Sequence, residues 1–145
     1  MKKLTRKNLN TLQGQKIERD GNEFTVKTII PDEEATKCRA NFVEIEPGNY
    51  AYGFHYHEAN EEVFYIISGT GVVRTMDGEI NVKAGDAIGF PTGEKGAHVI
   101  QNKSENEKLV YIDFGTTISP EIVHLPDFNK IMVIGNEVNG VYDKN

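Results

Sequence analysis

At 145 residues the chain is about one domain long, and a domain of this size buries roughly 70% of its unfolded surface. Hydrophobic residues make up 38% and charged residues 26%, the range of a globular protein. No stretch approaches the ~20 apolar residues of a membrane span, and Cys38 is the only cysteine, so no internal disulfide forms.

The chain opens with Lys2, Lys3, Arg6, Lys7, Lys16 and Arg19 against a single acid, Glu18; the remainder carries ten basic and 21 acidic groups. A phosphate backbone would be repelled by that body, so the leader reads as a solvated arm and no nucleic-acid partner is expected. Met1–Thr11 has no apolar run behind its basic residues and does not read as a secretory signal, which makes the cytoplasm the expected location.

From Glu23 the pattern is one of short strands: Phe24–Ile30, Cys38–Ile45, Tyr50–His57, Glu62–Ser68, Gly71–Met76, Glu79–Val82, Ala87–Phe90, Ala97–Asn102 and Leu109–Phe114. Turn residues separate them, among them Asp77-Gly78, Gly69-Thr70-Gly71, Ala84-Gly85-Asp86 and Pro91-Thr92-Gly93. Ile118–His124 and Lys130–Ile134 then return across the fold. Nine or so strands without a helical run predict an all-β sandwich or barrel, with no room for a helix-turn-helix. Residues 1–22 form an N-terminal arm in this reading, 23–135 the barrel, and 136–145 a polar tail that frays.

The candidate chemistry sits on these strands. His55 and His57 are two apart, so both imidazoles share one face and can meet one ion from one direction. The next strand opens with Glu61-Glu62, of which only one can point the same way. His98 opens a later strand and shares its face with Ile100 and Asn102. Imidazoles with one carboxylate suit zinc, iron, nickel, copper or manganese and leave about two positions of an octahedron open.

The stretch Gly48–Asn102 resembles the two motifs of the cupin superfamily. Gly48, His55, His57, Glu62 and Gly69 fill the first; Gly85, Pro91, Gly93, His98 and Asn102 fill the second. The spacing from Glu62 to Gly69 selects Glu62 over Glu61. Two loops, Gly48 to His55 and Gly93 to His98, are longer than the pattern. The resemblance implies a single double-stranded β-helix, the jelly-roll barrel, with one divalent transition metal (Fe, Mn, Zn, Ni or Cu) on His55, His57, Glu62 and His98.

Several residues around this constellation carry expectations of their own. Phe64, Ile66, Ile100, Ile112 and Phe114 are placed inward, either lining a small-ligand pocket or simply filling the barrel. Tyr65 and Tyr111 fall on the opposite face. Tyr52, Phe54 and Tyr56 form an aromatic stripe that needs cover, from the N-terminal strands or from a second subunit, and a homodimer is expected. Arg74 reads as a surface ion pair more readily than as a partner of Glu62, Asp86 or a ligand carboxylate; His124 reads as structural, and Cys38 as a buried, inert thiol. The functional expectation is a metal-dependent enzyme, such as a dioxygenase, isomerase or decarboxylase, on a small carboxylate, sugar or phenolic substrate. The alternative is a non-enzymatic module that binds or senses a small ligand.

Overall fold

The computed structural model describes all residues, 1–145. Thirteen strands form two sheets: β1 (Gln15–Arg19), β2 (Asn22–Thr28), β3 (Cys38–Ile45), β4 (Tyr50–His57), β5 (Glu62–Ser68), β6 (Thr70–Thr75), β7 (Gly78–Lys83), β8 (Ala87–Phe90), β9 (His98–Gln101), β10 (Leu109–Thr116), β11 (Glu121–Leu125), β12 (Lys130–Ile134) and β13 (Asn139–Asp143). One sheet has the order β1-β2-β3-β10-β5-β8, the other β13-β12-β11-β4-β9-β6-β7. Every pairing between strands is antiparallel. Two sheets that enclose one core in this way form a jelly-roll barrel. No helix is long and apolar enough to cross a membrane.

Alternation builds the core. Along β5, Phe64 and Ile66 are buried while Val63 and Tyr65 are exposed, the period-two pattern of a sheet with one inward face. Val43 and Ile45 of β3, Leu109 and Tyr111 of β10, Val73 of β6 and Ile100 of β9 complete a continuous apolar cluster with them. Burying one such side chain stabilises the fold by roughly 1.5–3 kcal/mol.

Three expectations change here. The leader is not all arm: β1 pairs with β2 from Gln15↔Val26 to Arg19↔Asn22, and Ile17 packs against the core. The polar tail does not simply fray, because Asn139–Asp143 forms β13 on the edge strand β12, with Ile131 opposite Tyr142. Backbone pairing extends the sheet there although the side chains are mostly exposed. Cys38 is half-buried rather than buried, at the first position of β3.

The phase of β10 also differs from expectation. Asp113 lies opposite Phe64 and Tyr111 opposite Ile66, so those two point inward. Ile112 and Phe114 instead align with the exposed Tyr65 and Val63 on the outer face; Phe114 is 42% exposed. The run Leu109–Phe114 is apolar in both phases except at Asp113, and placing that one charge outward is the natural choice from sequence. The fold does the opposite, because the register of β10 on β5 sets Asp113 opposite the buried Phe64.

Candidate metal centre

Both sheets contribute to one polar cluster at an end of the barrel. β4 and β9 lie side by side with His55 opposite His98, and His57 follows two residues on. From the facing sheet, β5 presents Glu62 as its first residue. Glu62 Oε2 lies 3.1 Å from His98 Nε2, 3.3 Å from His57 Nε2 and 3.7 Å from His55 Nε2. Glu61, by contrast, is exposed, as alternation requires. His55, Glu62 and His98 each offer one ligand atom within 4.8 Å of the others, a spacing that can hold a metal ion. His57 faces the same carboxylate oxygen.

The backbone fixes which nitrogen each imidazole offers. His55 Nδ1 donates to the Gly53 carbonyl at 2.7 Å, and His98 Nδ1 donates to the Gly96 carbonyl at 2.8 Å. With Nδ1 occupied as donor, the neutral ring carries its lone pair on Nε2, aimed at the cluster. Gly96 is required for this loop to close: a Cβ there would stand 1.8 Å from the Pro91 carbonyl oxygen. The Gly93–Ala97 loop, longer than the cupin pattern, is therefore a tight structure that includes a turn of 3-10 helix at Glu94–Gly96.

His57 is steered differently. Its Nδ1 lies 3.4 Å from Glu121 Oε2, a close approach without hydrogen-bond alignment. Glu121 is buried on β11 and accepts from the N–H groups of Glu58, Ala59 and Asn60, so it ties down the turn that separates His57 from Glu62. Burial would raise the Glu121 pKa, but those N–H groups and Asn60 pull it below the ordinary carboxylate value.

A third carboxylate, Asp113, stands inside the barrel next to the cluster. Burial, with the Glu62 charge nearby, pushes its pKa up to about 7. Arg39 Nη2 contacts Glu62 Oε1 and lies 3.6 Å from Asp113 Oδ1. Glu62 itself is held far below its ordinary pKa: burial alone would raise it, but contacts from His55, His57 and His98 outweigh that. His98 is lowered by burial despite Glu62, whereas at His55 the same desolvation is overcome by the Glu62 carboxylate and the shift is upward.

Of the aromatic stripe of β4, Phe54 and Tyr56 are covered within the chain, whereas Tyr52 stays 46% exposed. Phe54 packs with Ala97 and Val99 beneath the Arg74 guanidinium, 4.1 Å from the ring centroid. Tyr56 stacks on His124 at 4.3 Å. Tyr52 leaves the stripe altogether: its φ of 64° accompanies an irregularity in the β4–β9 register, and its ring meets Phe24 of β2 at 4.8 Å. Arg74 pairs with Asp127 through two 2.8 Å contacts, so it is a surface ion pair. His124 is structural, bonded to Glu58 at 2.7 Å. Asn102 is buried and holds loops together, donating to the carbonyls of Ile45 and Glu107.

Sequence reading did not single out Arg39, Glu121 or Asp113. A lone charged residue on a strand carries no motif, and each acquires meaning only through strand pairing. Tyr111, expected on the outer face, is fully buried beside this group, and its hydroxyl has no partner.

The donor set fits a transition metal on its own chemistry. The buried side-chain polar atoms without a partner are His57 Nδ1 and Nε2, Glu62 Oε2, His98 Nε2, Tyr111 Oη and Asp113 Oδ1, all in or beside this cluster. Buried polar groups are normally satisfied, so their concentration at one point marks a site built to hold something.

Comparison with known proteins follows the same line. Over 65 residues the chain is 32% identical to an oxalate-binding protein of Thermotoga maritima; the match covers 45% of this chain and 51% of that one, so the chain spans about half the length of the curated relative it matches. A solved structure of a sugar phosphate isomerase from Silicibacter pomeroyi superposes with a TM-score of 0.83 at 19% identity, covering 96% of this chain and 92% of that one, a likeness of fold alone. A predicted oxalate decarboxylase of Thermotoga maritima gives a TM-score of 0.68 at 25% identity, over 80% of this chain and all of that one. Residues 41–115 match the Cupin domain family. The chain belongs to the cupin family.

Proposed function

We propose that this chain is a metal-dependent enzyme acting on a small carboxylate, sugar or phenolic substrate. In this reading one divalent transition metal is held by His55, His57, Glu62 and His98. The supporting observation is the collection of unpartnered buried polar atoms at that point, with nothing comparable elsewhere in the barrel. When bound, such an ion acts as a Lewis acid toward oxygen ligands.

The chain's own residues do the rest. His55, His57 and His98 present Nε2, and Glu62 presents Oε2, from opposite sheets. Arg39 is the one cation touching the cluster and is 29% exposed, so it is placed to meet an anionic substrate group. Phe64, Phe90 and Tyr111 form the apolar floor, with the Phe90 ring stacked on His98 at 3.7 Å. The names of the similar proteins, an oxalate-binding protein and a sugar phosphate isomerase, fit small oxygen-rich ligands.

Elemental analysis of protein purified without an affinity tag tests the metal, alongside His55→Ala and His98→Ala variants. Stoichiometric metal in the wild type and none in either variant is expected; metal retained in both variants means the ion is bound elsewhere. Turnover is then sought with carboxylates, sugars and phenolics that raise the melting temperature. A second reading, a binding or sensing module, draws support from the relative named for binding oxalate. Saturable binding without turnover across metals would favour it.

We also infer a cytoplasmic homodimer. Val63, Tyr65 and Phe114 are exposed beside Phe42 and Ile112 on the flat outer face of the six-stranded sheet. A second copy across a two-fold axis would bury this face against itself. Sedimentation of wild type against Tyr65→Glu tests it: a dimer that becomes a monomer is expected, and a wild-type monomer refutes it.

A further inference from the structure

Glu62 divides its two oxygens. Oε2 faces the three imidazoles, and Oε1 is taken by Arg39, which comes from two strands away. The strand register explains how this reach is possible. Gly115 of β10 lies opposite Arg39 on one side and opposite Glu62 on the other, so the three residues form one lateral row across β3, β10 and β5. Strands are about 4.8 Å apart, so the two ends of the row are about 9.6 Å apart, a gap that the arginine and glutamate side chains span together.

The guanidinium crosses directly over the Gly115 Cα. A Cβ on Gly115 would stand 3.0 Å from Arg39 Cζ and 3.1 Å from both terminal nitrogens. Gly115 has no positive φ, so backbone conformation does not demand glycine here. What favours it is the arginine lying above it, because a Cβ there would press the guanidinium a few tenths of an ångström away from its present position over the strand.

We propose that Arg39 and Gly115 together are a positioning device for Glu62, holding it turned so that a single oxygen faces the metal position. This rests on the metal reading above and adds that the carboxylate is oriented by a cation outside the ligand set. Two features support orientation rather than simple ion pairing. Glu62 is 4% exposed and would be costly to bury as a charge without such a partner, whereas the arginine side chain keeps 29% of its surface in solvent. The Asp113 carboxylate lies 3.6 Å from the same nitrogen, so the guanidinium is fixed between two carboxylates on neighbouring strands rather than swinging on one.

The test uses Co2+ as probe, reading affinity by titration and ligand geometry by visible absorption. Variants are Arg39→Gln, Arg39→Lys, Gly115→Ala and the Arg39→Gln/Gly115→Ala pair. Arg39→Gln should weaken Co2+ binding about 10–100-fold and shift the spectrum. Gly115→Ala should reproduce the spectral shift although the arginine is still present, and it remains informative if Arg39→Gln folds poorly. Arg39→Lys should recover part of the affinity. The paired variant should be no worse than Arg39→Gln alone, because both changes remove one contact. Wild-type affinity and spectrum in Arg39→Gln, or additive losses in the pair, overturn the proposal and leave the metal site standing. A wild type that binds no Co2+ removes the metal reading itself and this proposal with it.

Discussion

The two ends of this barrel are made by the same strands and solve opposite problems. On β5, Ile66 belongs to the apolar end and Glu62 to the polar one; on β10 the same contrast runs from Leu109 to Asp113, on β9 from Ile100 to His98, and on β3 from Ile45 to Arg39. The apolar end is complete in itself, since Val43, Ile45, Ile66, Val73 and Leu109 are fully buried among one another. The polar end gathers Glu62, Asp113, His98 and Glu121 in the interior and leaves several of their atoms without partners. One region is organised for stability and the other holds charge that stability alone would exclude.

That contrast can be broken first at the polar end. His98→Ala should abolish metal binding while leaving the far core intact. Added Mn2+ should raise the melting temperature of the wild type, by about 2.7 kcal/mol of stabilisation at 100 times its Kd, and leave His98→Ala unmoved. Thermal scans with and without the ion read both outcomes, and an equal shift in the variant contradicts the assignment.

The converse cut is at the apolar end. Leu109→Ala should cost about 2–5 kcal/mol in denaturant unfolding, yet leave the metal stoichiometry of the folded protein unchanged. Loss of metal in this variant while it is still folded would mean that the two ends are not independent.

A subtler effect sharpens the comparison through pH. Asp113 titrates near 7 in the folded metal-free chain, above its ordinary 3.8, so the native state holds a proton that the unfolded state releases. Its contribution to stability is therefore fully present below about pH 4 and is lost as pH rises toward 7. Asp113→Asn should flatten that part of the metal-free stability profile, and a curve parallel to wild type across this range would contradict the buried-carboxylate account. Glu62 runs the other way: its lowered pKa gives stability that is present above about pH 4.5 and lost as acid protonates it. The two carboxylates thus oppose each other in adjacent windows.

The smallest effect lies outside both ends. Asp127→Asn removes the ion pair with Arg74, whose partners are 40% and 41% exposed, and should cost less than about 1 kcal/mol with no change in metal binding. Double-mutant unfolding with Arg74→Ala measures it.

Most strands were legible because alternation and turn residues are local signals. Cys38–Ile45, Tyr50–His57, Glu62–Ser68 and Ala87–Phe90 begin and end where the sequence predicts. The His-x-His pair was legible for the same reason, since two residues apart on a strand means one face. β1 and β13 were not, because Gln15–Arg19 and Asn139–Asp143 are mostly polar and owe their strand form to a neighbour's backbone. The outward turn of Ile112 and Phe114 was hidden because an apolar run gives no phase, and only the pairing of Asp113 with Phe64 sets it.

By itself the sequence determined an all-β chain of this size and the face shared by His55 and His57, and its resemblance to the two cupin motifs implied which glutamate and which later histidine belong with them. Tertiary structure alone decided that the three imidazoles converge on one oxygen of Glu62, that Asp113 and Tyr111 stand behind them, and that Arg39 reaches Glu62 across Gly115. The physical reason is range. Periodicity reports the direction of a side chain relative to its neighbours on the same strand, whereas contact between β3, β10 and β5 depends on register between segments more than twenty residues apart, which no local pattern encodes.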